Sequence, residues 1–157
     1  MSNKIKITGE QLQLVEKLGV VFEKLGLPPA AARIEGLLLV ADNTELTFDE
    51  IRETLNISKS AASNAINMML SMGRIEYITK PGDRKRYFRA HIANWKDGIK
   101  SRFAETGVLH EIMKEVLEQR TTSTKEFNKS LGEFISLFEY LRKEIPLLFK
   151  KWEATRK

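Results

Sequence analysis

The chain has 157 residues, 42% of them hydrophobic and 30% charged, and no cysteine. That length suits one domain with a real core, and the missing thiols exclude disulfides and thiolate zinc sites. A formal net charge of +5 points toward acidic partners, of which nucleic acid is the commonest. The start Met1-Ser2-Asn3-Lys4 opens no signal-like apolar stretch, and no run approaches a membrane span. The expectation is a cytoplasmic chain with no membrane association.

Apolar residues recur at Leu14, Val15, Leu18, Val21, Phe22 and Leu25, at the three- and four-residue spacing of one helical face, predicting a helix over Gln11 to Leu25. Gly26 ends it, and Pro28 starts the next, because proline suits a first helical turn. Ala30 to Ala41 is apolar almost all round, which predicts a buried helix. Thr47 followed by Glu50 forms a capping box ahead of a helix whose apolar side holds Ile51 and Leu55. Asn56-Ile57 breaks that helix, Ser58 caps another running to about Met72, and Gly73 stops it. Arg74 to Ile78 alternates polar and apolar as a half-buried strand does. Pro81-Gly82-Asp83 turns the chain, and Arg86 to Arg89 returns it. Helix, turn, helix and basic hairpin in this order make a winged helix-turn-helix, whose usual task is to bind duplex DNA.

Charge is placed where that task needs it. Arg74, Lys80, Arg84, Lys85, Arg86 and Arg89 face only Glu76 and Asp83 between residues 74 and 89. Contacts to phosphates supply the sequence-independent affinity of most DNA binders. On the second helix of the pair, Ala62, Ile66 and Met69 mark the core side. The opposite side shows Lys59, Ser60, Ser63, Asn64 and Asn67, which are short and polar. Such side chains let a helix sit deep in a major groove. Asn can pair with adenine, Ser with base edges or phosphate, and Lys with guanine or phosphate. They are poor helix formers, so they weaken the helix with no structural return.

After the hairpin, Asn94 is positioned to cap a long helix from Trp95 toward Glu118. Thr121 to Thr124 is a polar break. A final helix from Lys125 carries Phe127, Leu131, Phe134, Ile135, Phe138, Leu141 and Ile145, and Pro146 should kink or restart it. Leu148, Phe149 and Trp152 prolong the stripe. Gly98, Gly107 and Gly132 sit within helical patterns and mark kinks or close packing. An apolar face this rich must bury against something, either its own subunit or a twin. Chemistry finds little support. His110-Glu111 opens like a zinc-protease helix, but Lys114 stands where the second histidine belongs. His91 is read as a partly exposed strand-end residue. No catalytic residue, metal or cofactor is expected.

These residues carry a family resemblance over roughly residues 10 to 97. Gly26-Leu27-Pro28-Pro29, Ala32 to Leu39, Leu46-Thr47-Phe48-Asp49-Glu50-Ile51, Ile57 to Ser63 and Pro81 to Phe88, with Trp95 after them, resemble the MarR superfamily of winged-helix regulators, and within it the GbsR-type branch. The resemblance implies a homodimer that represses or activates operons and often senses a small-molecule effector. The effector would sit between the dimer helices and the DNA-binding lobe, near Trp95 and Phe103. Two positions depart from the pattern. Many MarR-type wings carry Asp-x-Arg at the tip, whereas Lys85 stands third here, leaving the minor-groove role to Arg84, Lys85 or Arg86. Pro29 replaces a frequently basic residue.

The expected fold is therefore mainly α with a small β-hairpin wing, a winged helix-turn-helix flanked by dimerisation helices. Residues 1–27 and 94–157 would serve dimerisation, and 28–93 would form the DNA-binding lobe. Ser58, Lys59, Ser60, Ser63, Asn64, Asn67, Arg84, Lys85 and Arg86 would contact double-stranded DNA. Leu131, Phe134, Phe138 and Leu141 would hold the homodimer. The rival classes are a winged-helix protein-interaction module and an RNA-binding protein without operator recognition.

Overall fold

The computed structural model describes residues 5–92 and 95–156. Its elements are helices α1 (Gly9–Lys24) and α2 (Pro29–Val40), strand β1 (Leu46–Thr47), helices α3 (Phe48–Thr54) and α4 (Lys59–Ser71), strands β2 (Ile75–Thr79) and β3 (Arg86–Ala90), and helices α5 (Trp95–Gln119) and α6 (Lys125–Ala154). They fall into two compact units, residues 1–93 and 94–157. The N-cap expected at Asn94 and the side chain of Trp95 lie outside the described residues.

In the first unit, α1 begins at a capping box in which Thr8 Oγ1 accepts from the Gln11 amide and Gln11 Oε1 accepts from the Thr8 amide. Helix α1, assigned by its sequence to dimerisation, also packs on α2 within this unit. Gly36 makes the approach close, because a Cβ there would lie 3.1 Å from the Val15 carbonyl oxygen. Helix α2 buries Ala31, Ala32, Ile34, Leu37 and Leu38, as its all-round apolarity predicts. Ala31, Ile34, Leu37 and Leu38 join Val15, Leu46, Ile51, Ala65, Ile66, Met69, Ile75 and Phe88 in one core. Arg33 closes the outer side of the α1–α2 pair with Glu16, at 3.0 Å, and with Glu23.

The expected hairpin is one strand short of the observed sheet. β2 and β3 pair antiparallel, Ile75 opposite Ala90 and Thr79 opposite Arg86, and β1 adds to the other edge of β3, giving the order β1-β3-β2. The register sets Leu46 opposite Phe88 and Thr47 opposite Tyr87. Two residues are too few to show the alternation by which a strand is read, so β1 left no periodic signal.

The second unit is an antiparallel pair of long helices. Ile135, Gly107 and His110 are buried in it, whereas Val108, Leu109, Ile112, Phe127, Phe134, Leu137, Tyr140 and Leu148 are exposed. Gly107 lets the Arg142 guanidinium lie across α5, since a Cβ there would sit 3.4 Å from it. Nδ1 of His110 lies 3.1 Å from Glu111 Oε1 and 3.3 Å from Arg142 Nη1. Arginine only donates and a carboxylate only accepts, so a neutral ring satisfies one of the two at a time. Helix α6 runs on past Pro146 to Ala154, so the proline does not restart it.

Candidate nucleic-acid interface

Helix α4 is presented by local chemistry that the sequence spells out. Thr47 caps α3 through the predicted box: Glu50 Oε2 accepts from the Thr47 amide and hydroxyl, each at 2.7 Å. Asn56, with φ of 52°, supplies the left-handed step between the helices, a conformation that asparagine tolerates better than most residues. Ser58 Oγ accepts from the Ala61 amide at 3.2 Å and so caps α4. The amides of Gly73 and Arg74 close its other end on the carbonyls of Leu70 and Met69.

Ala62, Ala65, Ile66 and Met69 are buried, which points the rest of α4 outward. Ser58, Lys59, Ser60, Asn64 and Asn67 are exposed and Ser63 is half-buried. The first turn of α4 holds no acidic residue, so its partial positive end faces outward uncompensated.

The wing tip is a type II turn. The Asp83 amide donates to the Lys80 carbonyl at 3.0 Å, with Pro81 second and Gly82 third at φ 78°, the conformation that position demands. Asp83 then stiffens the tip. Its Oδ1 accepts from the Lys85 amide at 2.9 Å and its Oδ2 from the Tyr87 hydroxyl at 2.6 Å. The Tyr87 hydrogen bond, more than that from Lys85, pulls the Asp83 carboxyl below its ordinary range, and Asp83 in turn pushes the Tyr87 phenol up.

A depressed carboxyl favours the folded tip above the ordinary carboxylate pKa, and that contribution fades as pH falls through the lowered value. Tyr87→Phe should therefore raise the Asp83 pKa toward an ordinary carboxylate. Titration of the Asp83 side-chain carboxyl carbon by NMR reads this directly, and an unmoved midpoint in the variant would break the assignment.

The six hairpin cations divide into two sets. Arg74 makes a two-pronged pair with Glu35 at 2.7 and 2.8 Å, at the root of the wing. Lys80 reaches Glu45 at 2.9 Å and lies 4.0 Å from the Tyr87 ring centroid. Arg89 pairs with Glu76 at 2.7 Å. These three are internally neutralised, so the local surplus read from the sequence overstates the charge offered to a partner. Glu35 and Glu45 lie outside the hairpin in sequence, and only folding brings them to it. Arg84, Lys85 and Arg86 are exposed and form no ion pair among the described residues. Arg86 stacks over Tyr77, its guanidinium carbon 4.7 Å from the ring centroid, which holds the side chain extended without taking its charge.

An open cleft of about 380 Å³ joins the two elements. Ser63 and Asn67 line it from α4 and Arg84, Lys85 and Arg86 from the wing, while Ile66, Leu70, Phe48 and Phe88 add apolar surface. Thr47, Phe48 and Asp49 complete the lining, residues the sequence offered only as a helix start. They are there because β1 ties the start of α3 to β3.

The four expected dimer residues lie on α6. Phe134 is exposed, and Leu131, Phe138 and Leu141 are half-buried. The Phe134 and Phe138 rings lie 4.5 Å apart. His91 is half-buried at the foot of the sheet, its Nδ1 3.2 Å from the Gly73 carbonyl oxygen.

Residues 93–155 match the family described as MmpR5-like MarR family transcriptional regulator. The curated HTH-type transcriptional regulator MmpR5 of Mycobacterium tuberculosis is 27% identical over 130 residues, 83% of this chain and 79% of that protein. A crystal structure of a transcriptional regulator superposes with a TM-score of 0.72 at 24% identity, covering 92% of this chain and 99% of that one. That likeness bears on the fold alone. The matched C-terminal segment and the curated relative make the chain similar to MarR-family transcriptional regulators, and the superposed structure shares its fold.

Proposed function

We propose that this protein is a MarR-family transcription regulator that works in the cytoplasm as a homodimer, reads an operator through α4 and grips the backbone through the wing, and that it belongs to the GbsR-type branch. The cleft carries the reading, because it sets Ser63 and Asn67 of α4 beside three unpaired wing cations. A helix in the major groove and a wing in the adjacent minor groove are separated by one sugar–phosphate strand, and this cleft has the polarity to receive it. Lys59, Ser60, Asn64 and Asn67 would reach base edges, with Ser58 at a phosphate. The branch is favoured by the Gly26-Leu27-Pro28 segment together with the Pro81 to Lys85 tip. A small-molecule effector enters through the family resemblance alone.

A module that only assembles proteins would show apolar or mixed residues on the outer face of α4, where short polar ones stand instead. A two-fold dimer suits the reading, because it sets two recognition helices about 34–36 Å apart, in successive major grooves. Asn64→Ala and Asn67→Ala should each relax preference at particular base pairs by roughly 1–3 kcal/mol and leave random-duplex binding nearly intact. The test selects operator fragments from random DNA, then titrates each variant against them, against random duplex and against RNA of matched sequence at fixed salt. Equal loss on operator and random duplex would make these residues helix-positioning groups. Equal binding of duplex DNA and RNA would remove the operator reading.

A further inference from the structure

We infer that Asp49 restrains the DNA affinity of this protein, a carboxylate set at the phosphate-facing cleft that weakens binding to every duplex. The inference rests on the reading of the cleft given above. Among the described residues Asp49 is the sole acidic one lining it, facing a rim that carries Arg84, Lys85 and Arg86. It is exposed, and no ion pair among the described residues joins it to those cations. Its one ionic contact among the described residues is to Arg52 of its own helix at 3.8 Å, both side chains open to water, a geometry that takes up little of either charge.

The capping box of α3 does not require an acid at this position. The start of α3 already has Glu50, which closes the capping box on Thr47 and supplies the negative charge favoured at a helix N-terminus. Nor is Asp49 there by accident of an open loop. The pairing of Leu46 and Thr47 with Phe88 and Tyr87 draws the first turn of α3 against the root of the wing. A carboxylate one residue into that turn is held where the backbone strand between the two grooves would pass. Its sign opposes phosphate, so it subtracts from the attraction of the three wing cations. Because each duplex presents phosphate there whatever its sequence, the penalty applies to operator and random DNA alike, and the contrast between them is left to the outer face of α4.

The experiment compares the full-length protein with Asp49→Asn, Asp49→Glu and Glu10→Gln by titration against an operator fragment and a random duplex at low and physiological salt. Asp49→Asn should bind both duplexes about three- to tenfold more tightly per bound subunit at low salt, the effect of one unit charge roughly 8 Å from a phosphate at a protein surface. The gain should shrink at ~0.15 M salt, where the screening length falls to about 8 Å. Asp49→Glu keeps the charge and should bind as the wild type. Glu10→Gln removes an exposed carboxylate on α1, outside the cleft, and should change affinity much less. Thermal melting of each variant separates altered folding from altered binding. Equal or weaker binding by a folded Asp49→Asn would overturn the inference, as would a gain confined to the operator or one matched by Glu10→Gln. If the wild type itself shows no salt-dependent duplex binding, the reading of the cleft fails. If the wild type binds and Asp49→Asn does not differ from it, only the role of Asp49 fails.

Discussion

Replacing Arg84, Lys85 and Arg86 together by alanine is expected to weaken binding to operator and random duplex alike and to flatten the dependence of affinity on salt. Each phosphate contact contributes about 0.9 to the slope of log K against log salt, so three contacts in each half of a dimer would remove about 5 units of slope. Between ~50 and ~200 mM salt, that is a loss of roughly three orders of magnitude in salt sensitivity. The internally paired cations provide the control. Lys80 is held by Glu45 and Tyr87, so Lys80→Ala should leave the slope nearly unchanged even where it loosens the wing. An unaltered slope in the triple variant would place the phosphates elsewhere, and an equal change in both variants would mean that bulk charge matters and wing geometry does not.

The second large effect concerns assembly. Phe134→Glu combined with Phe138→Glu should convert the protein to monomer or unfold its C-terminal unit, because unpaired carboxylates are costly in a dry interface. Phe134 is 42% exposed, more than a core phenylalanine would be and what an uncovered contact face would show. A folded monomer would keep both α4 and the wing but lose the two-site geometry. Operator affinity should then collapse while random-duplex affinity falls far less. Sedimentation and operator titration on one sample test this together. A variant that stays dimeric and binds normally would move the interface to another surface, with the exposed Leu14 and Val21 of α1 the next candidates.

Local signals carried the site further than the sheet. Thr47 with Glu50, Ser58 and Gly73 each act through neighbours within a few residues, so the limits of α3 and α4 could be read from the chain. The buried side of α4 followed from spacing alone. The Thr8–Gln11 box obeys the same rule and starts α1 at Gly9, two residues before the apolar spacing places the helix. What resisted reading depends on residues far apart in sequence. Arg74 meets Glu35, Lys80 meets Glu45, and β1 meets β3 only after the chain has folded. Counting charge along the hairpin therefore gave the right sign and too large a magnitude. At Pro146 the sequence offers a kink or a restart, and the continuity of α6 to Ala154 removes only the restart.

Thr47 belongs at once to the last pair of the sheet and to the cap of α3. A residue shared in this way works as a weld. The hairpin cannot swing without carrying the first turn of α3, and α3 is bonded through a short turn to the reading helix. Within one subunit the proposed grip on the backbone and the proposed contact with bases would therefore keep a fixed offset, like two teeth cut on a single key. A signal that releases this protein from DNA would have little to gain by bending the key. It would have to change the distance or angle between two of them.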